Sequence, residues 1–388
     1  MFSTRLPASL VPTPLSAAVA ARRRRHGRLL DLTLSNPTMA GLAYPETLAT
    51  AFSNVAALRY EPDPRGLRSA REAIARWQGS IGEPVSSDQL VLTASTSEAY
   101  SLLFKLLCDP GNRVLVPCPS YPLFEHLAHL DAVAVDRYTF RDAGRWMLDE
   151  SELRASITPT TRALIVVAPN NPTGHVPTDR EWDVFADLCH RHGLALIVDE
   201  VFSAYPLTAG VTHVPIPDMP GVLTFRLNGL SKLIGLPQAK LSWILVTGPD
   251  DLAQAALDVL DVIADTYLSV ATPVQVALPV LLETGAEVRR QILDRVRSNL
   301  AHVASRVAGS TIDVRTPDGG WSVVLRVPCV GGPDDLALAL LDRDVIVHPG
   351  YFYDLPHDGF VVISLLAGEA DVREGIDTLC SLPLLQLA

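Results

Sequence analysis

Residues 162–200 read RALIVVAPNNPTGHVPTDREWDVFADLCHRHGLALIVDE. The segment opens and closes with a short apolar run rich in β-branched residues, and the stretch between these runs has helical periodicity. A strand, a helix and a second strand in this order are typical of two parallel strands joined by a crossover helix. Polar residues follow directly, with Asn171 after the first strand and Asp199 at the end of the second.

The same alternation continues along most of the chain from about residue 88. Five further apolar runs have the length of strands: QLVLTA, NRVLVPC, AVAVDRY, GVLTFRL and LSWILVTG. Stretches with helical periodicity, such as EAYSLLFKLL and PDDLAQAALDVLDVI, separate them. This pattern predicts an α/β fold with a mostly parallel central sheet that is covered by helices on both faces. In such sheets a ligand binds outside the carboxyl ends of the strands.

The C-terminal part of the chain has a different organisation. The stretch ALPVLLETGAEVRRQILDRVRSNLAHVASRVAG is a long amphipathic helical region, and the strand-like runs GWSVVLRV, DVIVHP and FVVISLL follow it. We therefore expect a large domain over residues 45–280 and a smaller α/β domain over residues 281–388. Residues 1–44 are rich in proline and turn signals and too short to fold alone. We expect them to pack on the small domain or on a partner subunit.

The composition of the chain excludes some classes of binding partner. The 388 residues carry a net charge of −11, which argues against nucleic acid, because binding to phosphates requires a basic surface. No apolar run approaches the ~18 residues of a membrane span, and the N-terminus lacks the apolar stretch of a signal peptide. The five scattered cysteines show no CxxC pair and no histidine at metal spacing. We expect a cytoplasmic protein with no metal site, no membrane contact and no nucleic-acid partner.

Five segments at predicted strand ends concentrate the polar residues: TASTSEAY (93–100), PCPSYP (117–122), APNNPTG (168–174), VDEVFSAY (198–205) and LNGLSKLIGLPQAKLSW (227–243). Each segment alone has an ordinary structural interpretation, as a turn, a helix N-cap or a strand-end cap. Together, after successive strands, they fit one chemistry. The hydroxyls of Ser95, Thr96 and Ser97, which precede an apolar helix, could bind a phosphate group.

The remaining polar residues of these segments suit an aromatic aldehyde cofactor. A buried carboxylate at Asp199 could hold a protonated ring nitrogen, and the amide of Asn171 could bind a ring oxygen. The aromatic ring of Tyr121 could stack on the ring face. Lys232 lies among small residues and could form an imine once its ammonium is deprotonated. These are the groups that pyridoxal phosphate (PLP) requires of a protein.

Over about residues 30–385 the chain resembles the fold-type I PLP-dependent aminotransferases of class I/II, the aspartate-aminotransferase-like family. The motifs that carry the resemblance are NPTG at 171–174, DEVF at 199–202, LSK at 230–232 and GLPQAKL at 235–241. In this order and spacing they are jointly highly specific. The resemblance implies a homodimer with shared active sites that acts on a small-molecule amine or amino acid, with pyridoxal 5'-phosphate as cofactor.

The resemblance also implies residue roles. Lys232 would be the Schiff-base lysine, Asp199 would form a salt bridge with the pyridinium nitrogen, and Asn171 would contact the ring O3′. Tyr121 would stack on the ring. Tyr60, in RYEPDPRGLRSAREAIARW, matches the tyrosine that reaches the phosphate of the neighbouring subunit. The other residues expected around the cofactor are Ser95, Thr96, Phe202, Ser231 and Lys240.

Several positions depart from the pattern of this family. Lys240 stands where the family usually has a phosphate-binding arginine, and a lysine keeps the charge but loses the bidentate fork. Gly229 takes the place of a phosphate-binding serine, and Ser95 takes the place of a glycine. Phe202 replaces a tyrosine that normally donates a hydrogen bond to O3′.

The largest departure lies near the C-terminus. The arginine with which the family binds the substrate α-carboxylate is replaced by Val362, in the strand GFVVISLL. Arg226 and Arg343 are other candidates for that role, although an ordinary surface or strand-end charge is the simpler interpretation of both. We therefore expect a substrate that lacks a free α-carboxylate or one whose carboxylate meets a different cation.

Three functions remain open at this point. Amino transfer requires the least beyond Lys232 and Asp199. Elimination, replacement or cyclisation on PLP is favoured by the departures at Phe202 and Val362. A non-catalytic PLP-sensing regulator is the third, and we expect it least, because regulators of this kind carry an added helix-turn-helix domain and residues 1–44 leave no room for one.

Overall fold

A computed structural model describes residues 3–6, 11–25, 27–329 and 331–386. Its described residues contain two main sheets and a short two-stranded ladder. The strands are β1 Leu30–Asp31, β2 Leu90–Thr93, β3 Arg113–Cys118, β4 Ala134–Asp142, β5 Trp146–Leu148, β6 Thr161–Val167, β7 Ala195–Asp199, β8 Thr224–Gly229, β9 Ser242–Thr247, β10 Asp313–Arg315, β11 Ser322–Arg326, β12 Val345–Ile346, β13 His348–Pro349 and β14 Phe360–Ser364.

Helices surround these sheets. The α-helices are α1 Pro14–Arg23, α2 Glu46–Thr50, α3 Arg68–Ser80, α4 Thr96–Leu107, α5 Leu123–Leu130, α6 Glu150–Ser156, α7 Asp179–His192, α8 Leu230–Leu233, α9 Asp250–Asp265, α10 Thr272–Val307, α11 Asp335–Leu341, α12 Glu369–Cys380 and α13 Pro383–Gln386. Short 3₁₀ helices cover Pro37–Met39, Ala51–Ser53, Val55–Leu58, Ser87–Gln89, Pro237–Ala239 and Gly350–Tyr353. No helix in the described ranges is both long and apolar enough to cross a membrane.

The large sheet has the strand order β2-β9-β8-β7-β6-β3-β4-β5. Neighbouring strands from β4 through β3, β6 and β7 to β8 run parallel, whereas β5 at one end and β9 and β2 at the other pair antiparallel. Two buried apolar clusters pack on its opposite faces, as a sheet covered on both sides requires. The predicted α/β fold with a mostly parallel sheet is confirmed.

The segment that opened the sequence analysis forms β6, α7 and β7. Helix α7 begins with a capping box, in which the Thr178 hydroxyl accepts a hydrogen bond from the Glu181 amide and the Glu181 carboxylate accepts one from the Thr178 amide. The helix ends at Gly193, whose φ of 63° is the left-handed conformation that glycine adopts without strain. Local sequence therefore fixes both ends of this crossover.

The second sheet contains β10, β11, β14 and β13, in that order, with every pair antiparallel. Strand β1, from the N-terminal segment, pairs parallel with β12. Ion pairs add to this contact: Arg22 binds Asp344, and Arg28 binds Asp371 and Glu374. Much of the described part of residues 1–44 thus packs on elements of the C-terminal region, whereas Arg5 donates to the Leu130 carbonyl oxygen of α5 and Tyr44 to the carbonyl oxygen of Gly235.

The domain boundaries remain predictions. The boundary expected between residues 280 and 281 falls inside α10, which is continuous over Thr272–Val307. One buried cluster joins residues of α3 and β2 with residues of α10, β11 and β14, so apolar packing continues across this helix. Residues 1–2, 7–10 and 26 of the predicted N-terminal segment lie outside the described residues.

Candidate active site

A cavity of about 490 Å³ is lined by residues of both main sheets and of the N-terminal segment. Nine of the ten predicted cofactor-site residues line it: Ser95, Thr96, Tyr121, Asn171, Asp199, Phe202, Ser231, Lys232 and Lys240. Ser97, Gly229 and Val362 line it too. The structure therefore brings together residues that are as much as 267 positions apart, from Ser95 to Val362, in the place where the carboxyl ends of β7 and β8 meet β14.

Lys232 lies on α8, the single helical turn that follows β8. Its ammonium nitrogen Nζ is 5.2 Å from the ring centroid of Trp321 and 5.9 Å from that of Phe202. Burial lowers the pKa of Lys232, and the carboxylate of Asp199 partly opposes that effect. The Tyr205 hydroxyl lies 2.6 Å from the Lys232 carbonyl oxygen and donates a hydrogen bond to it. The lysine thus extends from a fixed backbone into a largely aromatic environment.

Asp199 is the last residue of β7 and is surrounded by protein. Burial raises its pKa to about 6, because a carboxylate loses its hydration there. Two donors oppose this effect: the Tyr100 hydroxyl lies 3.1 Å from Oδ2, and the Val201 amide lies 3.3 Å from Oδ1. Tyr100 is itself buried and packs edge-to-face on Phe124, with ring centroids 5.2 Å apart. The carboxylate is held in place and suited to a cationic partner.

The opposite part of the cavity is rich in hydroxyl groups. Ser95 is the N-cap of α4, and its Oγ accepts a hydrogen bond from the Glu98 amide. Thr96 and Ser97 form the first turn of that helix, where free backbone amides and the helix dipole favour an anion. Lys240, also in the lining, has φ 53° and ψ 53°. A non-glycine residue in this left-handed conformation is typical of functional sites.

The space beside Gly229 is filled by a serine of the neighbouring strand. Gly229 and Ser242 are opposite each other in the antiparallel pair of β8 and β9. A β-carbon added to Gly229 would lie 2.1 Å from the Ser242 hydroxyl oxygen. Ser242 therefore occupies the space that a serine at position 229 would need, and its hydroxyl lines the cavity.

These donors fit PLP. Asp199 could hold the pyridinium nitrogen, Asn171 could hold the ring oxygen, and Lys232 could hold the aldehyde carbon. The side chain of Asn171 makes no hydrogen bond within the described part of the chain, so its amide is available. The phosphate could be held by the start of α4 and by Lys240, which combine backbone amides, hydroxyls and a positive charge.

The aromatic residues of the site differ in exposure. Tyr121 is 47% exposed at the wall of the cavity, as a residue that stacks on a ligand from the solvent side would be. Phe202 is buried and packs edge-to-face on Trp321, with centroids 5.4 Å apart. It offers an apolar face and no hydrogen bond. Tyr60 is 70% exposed and does not line the cavity of its own chain.

No arginine lines this cavity in the described chain. Arg226 is buried and forms ion pairs with Glu83 and Glu200, and it is not part of the lining. Arg343 lies at the protein surface near Ser381. Val362, on β14, is 2% exposed. Neither of the two candidate arginines thus takes over the position of Val362.

Sequence reasoning did not assign roles to several residues that shape the site. These are Tyr100, Tyr205, Trp321, His348 and Tyr353. Tyr100 and Tyr205 belong to segments that the sequence analysis singled out, and their aromatic hydroxyls close to the polar residues of these segments were the available signal. His348 lies on β13 of the second sheet and Tyr353 in the 3₁₀ helix that follows, so both reach the cavity only through tertiary packing.

Comparisons with known proteins agree with this geometry. The chain is 28% identical over 361 residues to an alanine aminotransferase of Mycobacterium tuberculosis, which covers 90% of this chain and 78% of the relative. It is 29% identical over 367 residues to the arginine–pyruvate transaminase AruH of Pseudomonas aeruginosa, covering 91% and 90% of the two chains.

The structural comparison gives the same fold. A crystal structure of an aminotransferase from Escherichia coli superimposes with a TM-score of 0.86 at 22% identity and covers 98% of this chain and 97% of that one. At this identity the likeness concerns the fold. The model of the aminotransferase class I and II family matches residues 37–379, and the chain therefore belongs to that family.

Proposed function

We propose that this chain moves an amino group between a primary amine and a carbonyl compound, with PLP attached at Lys232. The observation that carries the proposal is the pairing of Lys232 and Asp199 in one cavity, where burial lowers the pKa of the lysine and raises that of the aspartate. The donor amine would leave as a carbonyl compound, and the acceptor carbonyl compound would leave as an amine. This exchange is what the names of the curated relatives describe.

PLP, when bound, supplies an electron sink for the bond broken at the substrate carbon and a carrier for the amino group. The lowered pKa of Lys232 favours its neutral amine, the form that can take a proton from that carbon. Asp199 would keep the ring nitrogen protonated. Tyr205 fixes the backbone from which Lys232 extends, and Tyr100 orients the carboxylate of Asp199.

A homodimer is part of this proposal. Tyr60 and Tyr267 line one surface depression and are 70% and 55% exposed. Val55, Leu58 and Val262, which belong to the same part of the chain or to the adjacent α9, are also largely exposed. Apolar residues this exposed are typical of a protein–protein contact, and a second copy would bring Tyr60 near the partner's cavity. A cytoplasmic location remains a prediction.

Attachment of the cofactor can be located directly. The protein is loaded with PLP, reduced with borohydride, digested and mapped by mass spectrometry. We expect the label on Lys232, no label in Lys232→Ala, and an unchanged label position in the control Lys240→Ala. A label on Lys240, or no label in a loaded sample, would show the assignment to be wrong.

The reaction type needs a second experiment. The loaded protein is incubated with a panel of amines, with and without a carbonyl acceptor. Amino transfer predicts turnover that depends on the acceptor. Without an acceptor, amino transfer can release at most one equivalent of carbonyl product per active site, whereas continued release would indicate elimination or cyclisation. An absorbance change without turnover would indicate a sensing protein.

A further inference from the structure

The substrate end of the cavity lies where β13 and β14 pair. His348 is opposite Val362 in this antiparallel pair, and both residues line the cavity together with Tyr353. Lys232 approaches the same region from the other side, because its Nζ lies over Trp321, the residue before β11. Ser322 of β11 is paired with Ser364 of β14. A substrate attached near Lys232 would therefore extend along β14 toward His348.

The charged residues at the substrate end of the cavity are unusual for a site that binds a carboxylate. Among the described residues, Lys232 and Lys240 are the only lysines or arginines in the lining, and the proposed function assigns both to the cofactor. His348 is the remaining basic side chain. Burial lowers its pKa and favours the neutral ring, while Asp31, a carboxylate, opposes this effect. An incoming carboxylate would meet no fixed positive charge and would be desolvated at a cost of several kcal/mol.

Two hydroxyl groups of the lining, those of Thr33 and Ser364, are also poor partners for a carboxylate. Thr33 donates its hydroxyl proton to Asp31, at 2.5 Å, and Ser364 donates its proton to the carbonyl oxygen of Leu34, also at 2.5 Å. Neither proton is free for a ligand oxygen. A carboxylate accepts hydrogen bonds and cannot donate them. The Ser364 oxygen already accepts a hydrogen bond from the Leu366 amide, whereas the Thr33 oxygen can still accept one from a ligand that donates.

His348 and Tyr353 form a neutral hydrogen-bonding pair. The Nδ1 atom of His348 lies 3.1 Å from the Tyr353 hydroxyl, and the imidazole stacks on Phe352 at a centroid distance of 5.2 Å. Burial raises the pKa of Tyr353 to about 12, so its hydroxyl stays protonated. The other ring nitrogen of His348, Nε2, has no hydrogen-bond partner among the residues described. The pair can accept from and donate to a ligand group that does both.

We infer that the amine substrate of this enzyme is an amino alcohol without an acidic group, whose hydroxyl binds the His348–Tyr353 pair while its body packs on Val362. A hydroxyl both donates and accepts, as this end of the cavity requires. Donor and acceptor would use the same cavity in turn, so the carbonyl compound would be an uncharged hydroxy aldehyde or hydroxy ketone. The inference rests on the proposed function, because it assumes the cofactor on Lys232.

This inference can be tested by comparing how tightly the protein binds an amino alcohol and the matching amino acid. The absorbance of the PLP-loaded protein is titrated with L-alaninol against L-alanine and with L-phenylalaninol against L-phenylalanine, which differ only in alcohol or carboxylate. We expect each alcohol to bind at least about tenfold more tightly than its acid, a difference of about 1.4 kcal/mol. Equal affinities, tighter binding of the acids, or acid binding that strengthens as His348 is protonated at low pH would overturn the inference.

Variants assign the preference to the named residues. Tyr353→Phe should weaken alcohol binding about fivefold or more and leave the affinity for PLP unchanged, since one hydrogen bond is lost. Tyr351→Phe is the matched control, because Tyr351 binds Asp334 and does not line the cavity. Val362→Arg should favour the acids. If Tyr353→Phe matches the control, the inference fails. Failure of borohydride labelling at Lys232 would instead contradict the proposed function itself.

Discussion

At the scale of single residues, Asp199 shows how one carboxylate is prepared for a cation. Burial disfavours the charged form of this carboxyl and raises its pKa to about 6. The Tyr100 hydroxyl and the Val201 amide favour the ionised form and fix both oxygens. A protonated ring nitrogen would complete the set of partners and repay the desolvation of the carboxylate.

Removal of this carboxylate should abolish most turnover. Asp199→Ala leaves the ring nitrogen without its counter-charge, so the cofactor becomes a weaker electron sink. We expect turnover of the PLP-loaded variant to fall by several orders of magnitude, measured by steady-state kinetics, with circular dichroism to verify the fold. A loss of less than about tenfold, or about 1.4 kcal/mol, would mean that Asp199 is a structural cap.

The hydrogen bond from Tyr100 to Asp199 should affect how the free energy of unfolding depends on pH. In the cofactor-free protein, a folded pKa of about 6 lies above the ordinary value of 3.8, so Asp199 is protonated in both states below pH 3.8. As the pH rises through 6, its charge destabilises the folded state by about 3 kcal/mol. Tyr100→Phe removes a donor to the carboxylate, which should raise the folded pKa further and enlarge this loss.

The measurement is urea unfolding between pH 4 and pH 8, for the wild type and Tyr100→Phe. The same pair is measured with Asp199→Asn present, because the pH-dependent difference should disappear without a titrating group. Parallel pH profiles of wild type and Tyr100→Phe would show that the tyrosine does not act on Asp199.

At the scale of secondary-structure elements, strands β8 and β9 form the part of the cavity that contains Lys240 and Ser242. The antiparallel register puts Gly229 opposite Ser242, and the two positions share room for one side chain. The backbone of Gly229 is extended, with φ 177°, so space alone decides which residue fits there. The hydroxyl could come from either strand, but not from both.

Exchanging the residues at positions 229 and 242 tests whether the two positions share this space. Gly229→Ser alone should lower the free energy of unfolding by about 1–3 kcal/mol through overpacking. Adding Ser242→Gly should recover part of that loss and of the PLP affinity, since the hydroxyl then comes from β8 while the Cα of residue 242 still lies 2.9 Å from the added β-carbon. Thermal unfolding and PLP titration of both single variants and the double variant provide the measurement. If the two changes add without recovery, the positions do not share this space.

At the scale of the whole molecule, an apolar surface around Tyr60 is exposed to solvent in the single chain. Leu58 is 87% exposed and Val262 is 70% exposed. A charged side chain introduced into a dimer contact loses its hydration and gains no partner, whereas a charged side chain on an exposed surface stays hydrated. The predicted homodimer can therefore be tested at this surface.

Leu58→Glu should dissociate the dimer and weaken PLP binding, because Tyr60 of the partner subunit would be withdrawn. Sedimentation velocity measures the oligomeric state. Met147→Glu is the control, since Met147 is 44% exposed on the edge strand β5. A wild-type protein that sediments as a monomer, or identical behaviour of both variants, would contradict the proposed dimer.

The local features of this chain could be read from its sequence. Apolar runs and their alternation with helical periodicity predicted seven of the eight strands of the large sheet, all but the short edge strand β5, because period and length are properties of neighbouring residues. The carboxyl-end rule predicted that Asn171, Asp199 and Lys232 lie in one site, and all three line one cavity. The N-cap at Ser95 was visible for the same reason, since a helix start is a short-range pattern.

Other features depend on long-range packing and were decided by the tertiary structure. The sequence gives no sign that Tyr100 donates to Asp199 or that His348 pairs with Tyr353 beside Val362, because these contacts join separate elements. Whether Ser242 replaces the hydroxyl of Gly229 depends on the register of two strands. Sequence periodicity determined the elements and the order of the site residues, whereas register and packing between distant elements determined which groups face the substrate.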